Sequence, residues 1–205
     1  MISVNLADVR TVLRGGERVA TGIWKLPTTE RVAAGTLGLH GDLQADRTVH
    51  GGADKAVYAY AREDTEWWER ELGRPLGHGA FGENLTLYGV AASEALVGER
   101  WRIGSVVLEV SEPRLPCWKL GVRMADPKMV KRFAKALRTG TYLRVIEAGE
   151  LGAGDEVELV ERPEHDVSVR LIAEAVLVDH GLAPRLLAAP RLSADYRSWA
   201  LDRAA

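Results

Sequence analysis

The stretch Trp101-Arg102-Ile103-Gly104-Ser105-Val106-Val107-Leu108-Glu109-Val110 places a glycine between two short runs rich in β-branched residues. That is the pattern of two strands joined at a glycine turn. The same punctuation recurs in Val19-Ala20-Thr21-Gly22-Ile23-Trp24, Tyr142-Leu143-Arg144-Val145-Ile146 and Asp155-Glu156-Val157-Glu158-Leu159-Val160, in a chain holding 21 glycines. Many short strands with glycine turns predict a mainly β body, a barrel or sandwich, rather than a regular alternation of strand and long helix.

Two helices interrupt this body. Residues 62–72 offer Trp67, Trp68 and Leu72 for packing and stop at Gly73-Arg74-Pro75. Asp126-Pro127 can cap and open a second helix, whose Val130, Phe133, Ala134 and Leu137 form one face. Lys128, Lys131, Arg132 and Lys135 then cover its other side, either as a solvated face or as a docking surface for an acidic redox partner. After Arg162-Pro163 the character changes: residues 167–178, 183–188 and 193–202 read as three helices, with Tyr196 and Trp199 available for packing in the last. The expected organisation is a β body over residues 1–163 and a small three-helix domain over 164–205.

The chain has 205 residues, 46% of them hydrophobic, enough for one good core plus a small appendage. Lys+Arg 27 against Asp+Glu 29 gives a formal charge of -2, which argues against a general nucleic-acid binder. The first ten residues lack a basic start followed by an apolar block, and no later run reaches membrane-spanning length. A soluble cytoplasmic protein is the expectation, and a single cysteine fits a reducing compartment.

That cysteine, Cys117, sits in Pro113-Arg114-Leu115-Pro116-Cys117-Trp118-Lys119-Leu120, directly after the run ending at Val110. One thiol forms neither an internal disulfide nor a multi-thiolate cluster, so its chemical roles are a reactive nucleophile or a single soft ligand to a metal held mainly by something else. The plain alternative is a small buried hydrophobe. Arg114 and Lys119 beside it, and two prolines that fix its loop, shift the balance towards function.

Residues 38–58 gather His40, His50, Asp42, Asp46, Asp54, Arg47 and Lys55 among four glycines, a composition suited to a polar pocket. His50 before Gly51-Gly52 can relay a proton near neutral pH, and Arg47 and Lys55 can grip an anion, unless Asp46 and Asp54 pair with them. His40, Asp42, Asp46 and His50 are also zinc-ligand types, but not at a specific zinc spacing. In Gly79-Ala80-Phe81-Gly82-Glu83-Asn84-Leu85-Thr86, Asn84 can hydrogen-bond a heterocycle, with Glu83 and Thr86 organising the turn. Arg144, on a predicted strand beside Tyr142, is a further anion clamp or a surface ion pair. A cysteine-protease arrangement has no supporting spacing.

Together, Gly38-Leu39-His40-Gly41-Asp42-Leu43-Gln44-Ala45-Asp46, Val49-His50-Gly51-Gly52-Ala53-Asp54-Lys55-Ala56-Val57, Phe81-Gly82-Glu83-Asn84-Leu85-Thr86, the Cys117 segment and Gly154-Asp155 resemble the MOSC family, named for the molybdenum cofactor sulfurase C-terminal domain. The match is to its bacterial YiiM-like branch, which carries a small three-helix tail. The resemblance implies a barrel-like domain that binds the molybdenum cofactor, with Cys117 as the metal ligand. It implies reduction of N-hydroxylated substrates such as 6-N-hydroxylaminopurine to amine and water, with electrons from a separate flavoprotein reductase. On that reading Arg47, Lys55, Arg114 and Arg144 clamp the pterin phosphate and its polar edge, His50 and Asn84 hydrogen-bond nearby, and His50 donates a proton. The competing readings are sulfur transfer through a Cys117 persulfide and a non-catalytic cofactor carrier.

Overall fold

The computed structural model describes residues 1–43 and 52–204. Thirteen strands are defined among them: β1 Ser3–Ala7, β2 Arg10–Arg14, β3 Glu17–Thr21, β4 Lys25–Thr28, β5 Val32–Gly35, β6 Gly38–Leu39, β7 Val57–Ala61, β8 Leu85–Leu87, β9 Arg100–Ile103, β10 Val106–Pro113, β11 Thr141–Glu147, β12 Gly149–Leu151 and β13 Val157–Glu161. The helices are α1 Arg62–Leu72, α2 Trp118–Met124, α3 Met129–Ala136, α4 Val169–Leu177, α5 Ala183–Leu186 and α6 Ala194–Ala204.

Eight strands form one sheet in the order β13-β9-β10-β11-β7-β8-β1-β4, antiparallel except for the β7–β8 pair. The Gly104-Ser105 turn joins β9 to β10 as expected, pairing Ile103 with Val106. Among the described residues the ladder has two ends, β13 and β4, so a closed barrel is not what the strand pairing defines. Smaller sheets are β12-β5-β6 and the hairpin β2-β3. With six helices beside these strands, the expectation of a mainly β chain is corrected to a mixed α/β domain with a helical C-terminal region.

Alternation along β7 explains the layering. Val57 and Ala59 enter a core with Leu85, Leu108, Val110 and Leu143, whereas Tyr58 and Tyr60 enter a second core on the opposite face. There they meet Trp68 of α1, Leu120 and Met124 of α2, and Met129 and Phe133 of α3, in an aromatic cluster in which Tyr60 and Phe81 stack 4.6 Å apart. Helix α1 ends where its sequence says, at Gly73 in the left-handed conformation (φ 64). Asp126 Oδ1 accepts from the Lys128 N–H, but α3 opens only at Met129, with Lys128 ahead of it making no side-chain cap, so the expected opening at Asp126-Pro127 is corrected. Ser168 caps α4 by accepting from the Leu171 N–H, and α4, α5 and α6 close a third cluster that also takes in Val97.

Helix α2 is the element that the sequence did not announce. It starts one residue after Cys117, where a continuing strand or loop was the alternative, and it turns the chain away from the end of β10.

Candidate functional site

Cys117 is half-buried, with extended backbone (φ -124, ψ 167), at the position immediately ahead of α2. It lines a cavity of about 100 Å³ together with Lys25, Lys55, Arg114, Lys119 and Tyr142. Four cations therefore converge on the hollow that holds the chain's thiol, from β4, the turn before β7, the end of β10 and α2. Gly22 belongs to the wall: a Cβ there would collide with the Leu43 carbonyl oxygen, so only glycine permits this approach of the two segments.

Arg114 is the most instructive member. It is buried, its guanidinium carbon lies 5.5 Å from the Tyr58 ring centre and 5.8 Å from that of Phe133, and its Nη1 has no hydrogen-bond partner among the described residues. Buried polar groups are almost always satisfied, so a guanidinium N–H without a partner among the described residues, in a cavity lined by three other cations, is suited to an anion. Burial pushes the Tyr58 and Tyr142 phenols up, with Arg114 pulling both back, so they remain neutral donors and acceptors around it.

A second group of contacts centres on Asp42. Its carboxylate accepts from the Ala7 N–H at 2.8 Å, from Asn84 Nδ2 at 2.9 Å and from Lys25 Nζ, and both charged side chains are almost withdrawn from solvent (7% and 5% exposed). Burial holds Lys25 below its ordinary pKa, with Asp42 opposing. Asp42, one of the zinc-ligand types weighed from sequence, is thus committed to protein donors. Among the described residues no three His, Cys, Asp or Glu side chains converge as a metal site.

The structure sorts the remaining predicted residues. Asn84 lines the cavity, yet its amide is engaged: Nδ2 also donates to the Asn5 carbonyl at 3.3 Å, and Oδ1 accepts from the Tyr58 N–H at 3.1 Å. Lys55 lines the cavity with its Nζ 3.5 Å from Glu112. Glu83 and Thr86 do organise the turn, for the buried Glu83 carboxylate accepts from the Gly79 and Phe81 N–H groups and the Thr86 hydroxyl. Arg144 is not among the cavity residues; it is held by Glu109 (3.0 Å), Asp54 and the Arg191 carbonyl. Arg47 and His50 lie outside the described residues.

Lys25 was missed in the sequence because nothing local separates it from a surface lysine; its role appears only when Asp42, far along the chain, closes on it. Lys119 shares the cavity with Cys117 from the first turn of α2.

Residues 46–158 match the family model described as the MOSC domain. The chain is 39% identical to YflK of Bacillus subtilis over 170 residues (83% of this chain, 77% of that protein) and 36% identical to YiiM of Escherichia coli over 169 residues (80% and 74%). It also matches a Gibberella moniliformis protein named Reductase, 32% identical over 192 residues, which are 92% of this chain and 34% of that protein. Among solved structures, YiiM from Geobacillus stearothermophilus superposes with a TM-score of 0.81 at 30% identity, covering 100% of this chain and 98% of that one. YiiM from Escherichia coli gives 0.75 at 29%, covering 89% and 88%. The chain belongs to the MOSC domain family. Within it, the coverage by both YiiM structures places the chain in the YiiM-like bacterial branch. Among the described residues no helix is long and apolar enough to cross a membrane.

Proposed function

We propose that this chain is a molybdenum-cofactor-dependent reductase of N-hydroxylated compounds such as 6-N-hydroxylaminopurine, acting in the cytoplasm. The observation that carries the reading is the Arg114 Nη1, without a partner among the described residues, in a four-cation cavity beside the only thiol. Those residues fit the group that the family name implies: a phosphate-bearing pterin needs cations, and a molybdenum ion bound by its sulfurs accepts one further soft thiolate. Cys117 would be that ligand, while Arg114, Lys25, Lys55 and Lys119 would hold the anionic edge. When bound, the cofactor supplies reversible two-electron chemistry.

The chain's own part is to bind and orient. Arg114, packed against Tyr58 and Phe133, presents a guanidinium whose direction is fixed before any ligand arrives. Asp42 and Asn84 hold Lys25 and the Tyr58 backbone at the wall. Converting R–NHOH to R–NH₂ and water takes two electrons and two protons; His50 is our candidate proton donor. The electrons must come from outside this chain, from a separate flavoprotein reductase. The fungal relative's name supports a reductive role. We also read the sheet as barrel-like and residues 164–205 as a distinct small domain, supported by the apolar cluster that α4, α5 and α6 share.

The test is molybdenum and pterin content of protein from a host that makes the cofactor, followed by reduction of 6-N-hydroxylaminopurine with dithionite. About one molybdenum per chain with turnover supports the reading. Full loading without turnover favours a carrier, and persistent absence of metal and pterin favours sulfur transfer through Cys117.

A further inference from the structure

The formal charge of -2 is unevenly spread. Residues 114–138 contain eight Lys or Arg and one acidic residue, Asp126, so the segment that follows β10 and forms α2 and α3 is strongly basic within an acidic chain. The fold puts this charge beside the thiol: α2 starts directly after Cys117, and α2 and α3 both bury their apolar faces in the aromatic cluster. Their other faces carry Arg123, Lys128, Lys131 and Lys135, none of which has a carboxylate partner among the described residues. Arg132 alone on α3 is paired, with Asp126.

Other segments extend the patch. Arg14 of the β2–β3 hairpin stacks 4.9 Å over Trp118, the residue after Cys117, and Arg74, after α1, donates to the Met124 carbonyl at the end of α2. Neither has a carboxylate partner among the described residues. Arg123 Nε is buried without a hydrogen-bond partner among the described residues. Burial holds its guanidinium below the ordinary value, the nearby Arg10 and Arg74 adding to this and Glu83 opposing. Val122 stands 41% exposed amid these cations. Arginine, tryptophan and an exposed aliphatic side chain within a rim of lysines are the composition of a protein-docking surface, and the sign selects an acidic partner.

We infer that the α2–α3 face, with Arg14 and Arg74 at its edge, is the docking surface for an acidic flavin-containing electron-transfer protein. The inference rests on the reductase reading above. Each turnover takes two electrons from two one-electron flavin hydroquinones, which become semiquinones, and two protons from solvent; the N–O bond breaks and the oxygen leaves as water. Docking on α2 brings the donor to the helix that begins one residue after Cys117, with Lys119 of its first turn lining the cavity.

The experiment uses the loaded full chain and the triple charge reversal K128E/K131E/K135E, which touches no cavity residue. Reduction of 6-N-hydroxylaminopurine is followed with dithionite and, separately, with reduced flavodoxin as the acidic protein donor. The expected result is an unchanged dithionite rate, a flavodoxin KM raised about tenfold or more in the variant, and a salt dependence present in wild type and lost in the variant. An equal flavodoxin KM in both proteins, or wild type that works with dithionite but not with flavodoxin, overturns the docking surface. Failure of loaded wild type with dithionite itself overturns the reductase reading instead. Sedimentation with phosphatidylglycerol vesicles, abolished by the reversal while the flavodoxin KM stays fixed, overturns the proposal in favour of a membrane surface.

Discussion

Glu109 and Arg144 face each other across β10 and β11, with 3.0 Å between Oε1 and Nη1, and Arg100 stands opposite the same glutamate on β9. Arg191 reaches in from the C-terminal region to the other oxygen, also at 3.0 Å. A carboxylate only 2% exposed is thus shared by three arginines, and Arg144 spends its donors on Glu109, Asp54 and a carbonyl. Its work is to tie the C-terminal region and the turn before β7 to the sheet.

Arg144→Met should therefore cost about 1.5–3 kcal/mol, the scale of hydrogen bonds to charged groups, and leave molybdenum per folded chain unchanged. Urea unfolding and metal analysis of the same preparation check both parts. Loss of the metal without loss of stability would return Arg144 to the cavity as an anion clamp.

The buried Lys25–Asp42 pair gives a second prediction. Replacing Asp42 with alanine strands an ammonium that is 7% exposed, and breaking such a pair costs about 3–5 kcal/mol. Adding Lys25→Met to Asp42→Ala should recover much of that loss, because the stranded charge disappears. A double variant no more stable than Asp42→Ala alone would mean that the Asn84 and Ala7 contacts, and not the charge pair, carry the energy.

These two cases show where sequence reasoning stopped. Helix α1 was legible to the residue because an apolar face, a terminal glycine and a proline agree locally. The place of Cys117 just beyond a strand was legible because the run that precedes it is unmistakable. Arg144 was not, because its partner Glu109 is fixed by a strand register that no local pattern encodes. Lys25 was not, because a buried lysine and a surface lysine look alike until the fold supplies Asp42. Helix α2 stayed hidden behind two prolines and contains Gly121, both of which argue against a helix by propensity.

Glu83 predicts a pH dependence. Burial pushes its carboxyl above the ordinary 4.5, although the Gly79 and Phe81 amides and the Thr86 hydroxyl pull it back. A raised folded-state pKa means that the folded chain holds a proton which the unfolded chain has released. Its contribution is complete below about pH 4.5 and is lost as pH rises through the folded value. Urea midpoints measured from pH 4.5 upward should fall for wild type across that window and fall less for Glu83→Gln. Parallel slopes would show that another group sets the dependence.

Cys117→Ser separates chemistry from fold. The thiol makes no capping hydrogen bond to α2, whereas serine is among the preferred residues at that position, so stability should hold or rise by up to about 1 kcal/mol. Reduction of 6-N-hydroxylaminopurine should vanish at the same time. Full turnover in the serine variant would remove Cys117 from the metal and with it the basis of the mechanism.

Arg114 allows the two signs to be set against each other. A buried guanidinium whose Nη1 has no partner among the described residues carries a desolvation cost, set against its contacts with the Tyr58 and Phe133 rings and its hydrogen bond to Tyr142. Arg114→Met keeps an apolar stem against Tyr58 and Phe133 and removes that charge, so protein made in a host lacking molybdopterin should be as stable as wild type or more so. Made in a host that supplies the cofactor, the same variant should retain little molybdenum or pterin. Arg114→Lys should not restore retention, because a point charge cannot reproduce a planar fork aimed by ring stacking. Thermal unfolding of the cofactor-free proteins and metal analysis of the loaded ones decide it: a cofactor-free variant several kcal/mol less stable would make Arg114 a packing residue, whereas gained stability with lost retention identifies a side chain held against its own folding interest for a ligand.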